Sequence, residues 1–167
     1  MNLSLKPALS LKGSVKLPAS KSYSIRAFII AALGGKSRIS NASECEDARV
    51  ARLTCQKLGA RLSALSKNSW LVKGITKNQK FPSRINVGES GTTLRFLISI
   101  LTLSPNPVTV NATGTLKPRP NHYLIRVLRK HGADISGKGE KATVPIRIKP
   151  AKLKGGVMEI DGTLSSQ

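Results

Sequence analysis

The chain has 167 residues, enough for one domain with a core of its own, and its 40% hydrophobic content suits a globular protein, with no apolar stretch long enough to span a membrane. Its 28 Lys and Arg against 8 Asp and Glu leave a formal net charge of +20, which points to anionic partners. The basic residues are spread along helices and loops and only 4% of residues are aromatic, too few stacking faces for a single-strand nucleic-acid platform, so nucleic acid is not an expected partner.

Met1 to Lys6 lack the apolar core of a secretory signal. The two cysteines, Cys45 and Cys55, form neither a disulfide framework nor a metal pattern and read as buried helix residues of a reduced, cytoplasmic protein. Alternation over 14–17 predicts a strand, and helical spacing through Ile25, Phe28, Ile29 and Ala32 predicts a helix over 22–33, stopped by Gly34 and Gly35. A short strand is expected over 37–41. Ser43-Glu44-Cys45-Glu46 reads as a capping box opening a helix through Val50, Leu53 and Leu58, which Gly59 ends. Two strands, 61–65 and 70–75, then close a βαβαββ unit as a hairpin.

The same order recurs: strand 84–87, helix 90–103, strand 108–112, a helix from about 120 to 131 ended by Gly132, then strands 133–136 and 143–148 across Gly137-Lys138-Gly139. The second helices of the two units end alike, Lys57-Leu58-Gly59-Ala60 and Lys130-His131-Gly132-Ala133. A strand over 157–160 would open a third unit. The expected fold is therefore α/β (α+β), built of repeated βαβαββ units: unit one about 14–76, unit two about 77–150 and the start of a third over 151–167. A unit without its remainder has no partner for its apolar face, so the chain reads as a fragment.

Each unit begins with a strand, small hydroxylated residues and a helix: LPASKSYSIRA at 17–27, NVGESGTTLRF at 86–96 and VMEIDGTLSSQ at 157–167, placing Ser22, Thr92 and Ser166 about 70 positions apart. The first two carry an arginine one turn in, Arg26 and Arg95. Small residues admit a ligand close to the backbone, and helix N-termini favour anions. Phosphate-type sites are the expectation.

LPASKSYSIRAFIIAAL is similar to the first signature of the 5-enolpyruvylshikimate-3-phosphate synthase family, GESGTTLRF to its second, ATGTLKPRPNHYLIRVLRKHGA to its third, and IDGTLSSQ to the Ser-Ser-Gln opening of the next unit. The four occur in order over the whole chain. The resemblance implies a two-domain enzyme with three βαβαββ units per domain and the site in the cleft between them. This chain would hold an incomplete domain over 14–167, and residues 1–13 an opening strand that pairs with the second domain. It also implies transfer of the enolpyruvyl group of phosphoenolpyruvate to the 5-hydroxyl of shikimate 3-phosphate, with release of phosphate, no cofactor, no metal, a monomer and a cytoplasmic location.

Through the same resemblance, Lys21 aligns with the lysine between both substrates; Ser22, Arg26, Ser165, Ser166 and Gln167 with contacts to shikimate 3-phosphate; Gly91 and Arg119 with contacts to phosphoenolpyruvate. Ser22 also reads as a helix N-cap, while Arg26, inside an apolar helix, has no evident structural role. Thr92 and Arg95 support the second loop, Asp47 either orients Lys21 or a neighbouring arginine or caps the dipole of its own helix, and His122 and His131 read as surface residues. Glu89 stands where many members have asparagine, leaving its ionisation and orientation open beside two anions. The family's acid and base groups lie beyond Gln167, so no catalytic residue is expected here and the chain alone should not turn over. The alternatives are a UDP-N-acetylglucosamine enolpyruvyl transferase relative, against which Lys21-Ser22 argues, and an anion-binding or RNA-related module using the same repeat.

Overall fold

A computed structural model describes residues 3–4, 6–7, 10, 12–76 and 79–160. Helix α1 (Lys21–Leu33) starts one residue earlier than its spacing predicts, because Ser20 and not Ser22 is the N-cap: Ser20 is extended and its Oγ accepts the Tyr23 N–H at 3.3 Å. Gly34 ends the helix as expected, and strand β1 (Lys36–Ile39) follows. The capping box does not form ahead of helix α2 (Glu46–Lys57). Cys45 is its N-cap, without a side-chain bond, and Ser43 Oγ instead accepts the Cys45 N–H two residues on at 3.3 Å. Glu46 and Asp47 occupy the first turn, where the helix dipole favours carboxylates.

Strands β2 (Arg61–Ser66) and β3 (Ser69–Lys73) form the first hairpin. Strand β4 (Arg84–Asn86) leads to helix α3 (Gly91–Ile100), whose last predicted turn tightens into a 3-10 turn, Leu101–Leu103. Strand β5 (Val108–Asn111), a 3-10 turn (Gly114–Leu116), helix α4 (His122–Lys130) and strands β6 (Asp134–Lys138) and β7 (Thr143–Lys149) complete the order. Helix α4 begins later than about 120 because the Asn121 N–H donates at 2.9 Å to the carbonyl of Lys141, outside the helix.

The order βαβαββ is thus present in full over 84–149, and over 21–73 it lacks its first strand. The strand predicted at 14–17 does not form, and Val15 and Leu17 are 86% and 81% exposed, because β1 pairs only with β3 and no described strand lies beside this segment. Residues 157–160 likewise form no strand, and Val157 is 89% exposed. A strand exists only through its partner's hydrogen bonds, which alternation in one segment cannot supply. The two KxGA helix ends do share one geometry: Gly59 and Gly132 take φ of +103° and +92°, and Ala60 and Ala133 donate back to the carbonyls of Cys55 and Leu128.

The strands form two sheets, β1-β3-β2, all antiparallel, and β4-β5-β7-β6, in which only β4 and β5 are parallel. Helices α1 and α2 pack on the first sheet around Phe28, whose ring meets Trp70 edge-on at 6.3 Å, and α3 and α4 on the second around Leu94, Leu97 and Ile125. The two cores lock together where Phe96 and Ile100 of α3 pack on the first and Ile75 touches both.

Three helices run side by side in one direction. At their starts Lys21 of α1 meets Asp47 of α2, and midway along, Arg26 of α1 lies over the Phe96 ring of α3. Near their ends, Ala32 and Leu33 of α1, Cys55 of α2 and Leu97 and Ile100 of α3 line one small apolar void. The N-termini of α1, α2 and α3 therefore gather at one end of the molecule. The parallel strands β4 and β5 end there too, since α3 starts directly from the β4 loop.

Candidate active site

At this end, Lys21 is the first residue of α1, and its Nζ lies 3.0 Å from Asp47 Oδ2. The hydrogen bond and charge of Asp47 raise the ammonium above the usual lysine value against a small desolvation cost. Lys21 is thus a fixed cation at neutral pH, suited to holding oxygen anions and unsuited to acting as a base. Of the orientations open to Asp47 in the sequence, the structure contains the one toward Lys21.

Arg26, one turn on, donates from Nη1 to the Ser22 carbonyl at 3.1 Å and stacks 5.6 Å from the centre of the Phe96 ring. The expectation that it lacks a structural role is corrected: it bridges α1 and α3, its flat guanidinium lying on an aromatic face. Ser22 is exposed at the second position of α1.

The second cluster forms where the loops after β4 and β5 meet. Val87 N–H donates to the Asn111 carbonyl at 3.0 Å and Thr113 N–H to the Gly88 carbonyl at 2.8 Å, tying the loops together. Gly91, buried, opens α3. A methyl group there would lie 3.6 Å from a guanidinium nitrogen of Arg119 and 3.7 Å from one of Arg95, so two cations converge on the one position without a side chain. Arg95 lies 5.9 Å over the Tyr123 ring and Thr92 is partly exposed beside Gly91. The N-cap Ser90 is fully buried and spends its hydroxyl on Thr93 Oγ1 at 2.8 Å, leaving it off the first-turn amides. Ser90, Thr93 and Tyr123 carry no signal in sequence, because small polar and aromatic residues near helix starts are common.

Glu89 is settled by geometry. Its Oε1 accepts from Thr115 N–H at 2.6 Å and from Thr115 Oγ at 2.9 Å, clamping the β4 loop to the turn after β5, and a Cβ on Gly114 would strike the carboxylate. The Thr115 amide, then its hydroxyl, hold the carboxyl below the usual value, and the Arg119 charge adds to this. Because the folded value is depressed, the clamp contributes stability above the unfolded carboxylate value and loses it as pH falls through the folded one. A titration of this carboxyl by NMR is expected to show its inflection below the ~4.3 of free glutamate; an inflection at or above that value contradicts the clamp.

Ser165, Ser166 and Gln167 lie outside the described residues. His122 is exposed, and His131 Nδ1 lies 3.3 Å from the Lys154 carbonyl. Cys45 caps α2 where an interior helix position was expected, whereas Cys55 is buried, donates to the Phe28 carbonyl at 3.5 Å and has its thiol pushed up to about 12 by burial. Among the described residues no three His, Cys, Asp or Glu side chains gather as a metal site, and no helix is long and apolar enough to cross a membrane.

Helices starting together over one end of paired sheets define a fold of the enolpyruvyl transferase class. The enolpyruvyl transferase NikO from Streptomyces tendae shares it with a TM-score of 0.54 at 14% identity over 78% of this chain and 31% of that one, a likeness of fold alone. A family model described as EPSP synthase (3-phosphoshikimate 1-carboxyvinyltransferase) matches residues 5–167, and the chain belongs to that family. The EPSP synthase from Acinetobacter baumannii superposes with a TM-score of 0.79 at 26% identity, covering 86% of this chain and 33% of that one. Proteins named 3-phosphoshikimate 1-carboxyvinyltransferase are 34% identical over 170 residues in Sulfurovum sp. (strain NBC37-1) and 37% over 156 residues in Archaeoglobus fulgidus. These alignments cover 99% and 93% of this chain but 40% and 36% of the relatives, so the chain spans about two fifths of their length.

Proposed function

We propose that the chain supplies part of the substrate site of a 3-phosphoshikimate 1-carboxyvinyltransferase, which moves the enolpyruvyl group of phosphoenolpyruvate to the 5-hydroxyl of shikimate 3-phosphate and releases phosphate. The observation that carries this reading is the gathering of fixed cations, Lys21 on α1 and Arg95 and Arg119 around Gly91, at the shared starts of three parallel helices. In this reading Lys21, Ser22 and Arg26 hold shikimate 3-phosphate together with Ser165, Ser166 and Gln167, while Lys21, Gly91 and Arg119 hold phosphoenolpyruvate and Thr92 and Arg95 support it.

The chemistry sets what these residues do. Two multiply charged anions must be brought together while the enol carbon is protonated and the hydroxyl attacks, and a tetrahedral intermediate then loses phosphate. Preorganised cations and helix dipoles offset the repulsion and the developing charge. In this reading Lys21 serves as an ammonium that holds oxygen anions, and the proton is moved by groups outside this chain. Consistent with that role are a monomeric, cytoplasmic protein and a domain in which residues 14–167 are completed by further βαβαββ units, residues 1–13 pairing with a second domain.

Gly91→Ala tests the reading. The added methyl meets neighbours only at 3.5 Å and beyond, ordinary contact, so the fold accepts it, and alanine favours the helix start. Titration calorimetry is expected to show affinity for phosphoenolpyruvate falling by roughly tenfold or more as the methyl displaces the ligand, with shikimate 3-phosphate affinity and the melting temperature nearly unchanged. Equal losses for both ligands, or no binding of either by the parent chain at millimolar concentration, count against the assignment.

A further inference from the structure

Much of the +20 charge lies away from Lys21 and Gly91. Lys117, Lys138 and Lys141 ring an open cavity of about 620 Å³ between the segment after the Gly114–Leu116 turn and the tip of the β6–β7 hairpin. Its floor is apolar, from Ala112, Pro118 and Val144, and no carboxylate lines it. The size is that of a small-molecule site.

The walls are braced from behind. Asn121, fully buried, donates from Nδ2 to the carbonyls of Arg119 at 3.0 Å and Ala142 at 3.3 Å, and its N–H donates to the Lys141 carbonyl at 2.9 Å. One side chain thus joins the segment bearing Lys117 and Arg119 to the hairpin bearing Lys138 and Lys141. Across the turn, Thr143 Oγ donates to the Lys138 carbonyl at 3.3 Å and Ala142 N–H to the Gly139 carbonyl at 3.0 Å. The cations are consequently mounted on a fixed frame around an apolar base.

We infer that this cavity is a second anion site, beside the Gly91 cluster with which it shares the loop after β5 but lined by cations that cluster does not use, whose ligand is a small organic phosphate: the phosphate meets the three ammonium groups and the carbon body covers the apolar floor. A bare inorganic ion uses only the first half of that arrangement.

The test is NMR titration of the whole chain with phenyl phosphate and, separately, inorganic phosphate at matched ionic strength. Saturable shifts are expected at the Ala112, Gly139 and Thr143 amides, with phenyl phosphate bound more tightly. Lys138→Gln with Lys141→Gln is expected to weaken it roughly tenfold or more, the effect of losing charge-assisted contacts. Lys21→Ala and Gly91→Ala should both leave the Gly139 and Thr143 shifts in place, separating this site from the proposed substrate site. Shifts confined to residues near Lys21 and Gly91, unchanged affinity in the double variant, or equal affinity for the two phosphates would overturn the inference.

Discussion

Lys21→Ala is expected to lower the affinity for shikimate 3-phosphate by roughly tenfold to a hundredfold, the effect of one charge-assisted contact, while the melting temperature hardly moves. The two outcomes separate because the Lys21–Asp47 pair is only partly screened from water, its side chains 55% and 27% exposed. Surface pairs of this kind contribute about 0–1 kcal/mol to folding. Asp47→Asn should fall between parent and Lys21→Ala, since it keeps the ammonium but removes what holds it in place. Calorimetric titration beside thermal denaturation measures both quantities. If affinity and melting temperature fall together, Lys21 is a structural residue and its place in the site is wrong.

Gly74→Ala is expected to destabilise the fold by about 2–5 kcal/mol, from overpacking and two weakened backbone hydrogen bonds, a large part of a typical domain's ~5–15 kcal/mol. Gly74 follows β3 directly where the chain presses on the end of α1. Its N–H donates to the Gly35 carbonyl at 2.7 Å and Ile75 N–H to the Ala32 carbonyl at 2.8 Å. A Cβ on Gly74 would run into the Gly34 carbonyl, which is backbone and cannot swing aside. Gly35→Ala is the control, because nothing lies within 4 Å of the position its Cβ would take. Chemical denaturation of both variants decides the matter; equal midpoints would show that the α1–β3 junction yields without cost.

How much of this could be read from residues alone depended on how local the cause was. The starts of α1, α2 and α3 and the ends of α1 and α2 came within a residue or two, since apolar spacing, first-turn acids and the stops at Gly34 and Gly59 act over a few positions, whereas α3 ended three residues early in a 3-10 turn. Where a hydroxyl had several reachable amides, prediction failed: Ser43 served Cys45 instead of closing a capping box, and Ser20 capped α1 in place of Ser22. The strands at 14–17 and 157–160 failed for another reason, since their alternation is genuine but no described strand pairs with them. For the candidate site, the chemistry of each cation was legible, but the stacking of Arg26 on Phe96, the Glu89–Thr115 clamp and the Asn121 brace join residues 21 to 70 positions apart.

By itself the sequence determined the βαβαββ order over 84–149, the family to which its four signatures belong and the kinds of residue that face an anion, because these depend on periodicity and on residue chemistry at short range. Only the tertiary structure decided that α1, α2 and α3 start at the same end, that Arg95 and Arg119 converge on Gly91, and that Asp47 pairs with Lys21. The physical reason is distance along the chain. Burial of Phe28, Leu94 and their neighbours sets which helices lie side by side, and that packing brings separate loops within hydrogen-bond reach.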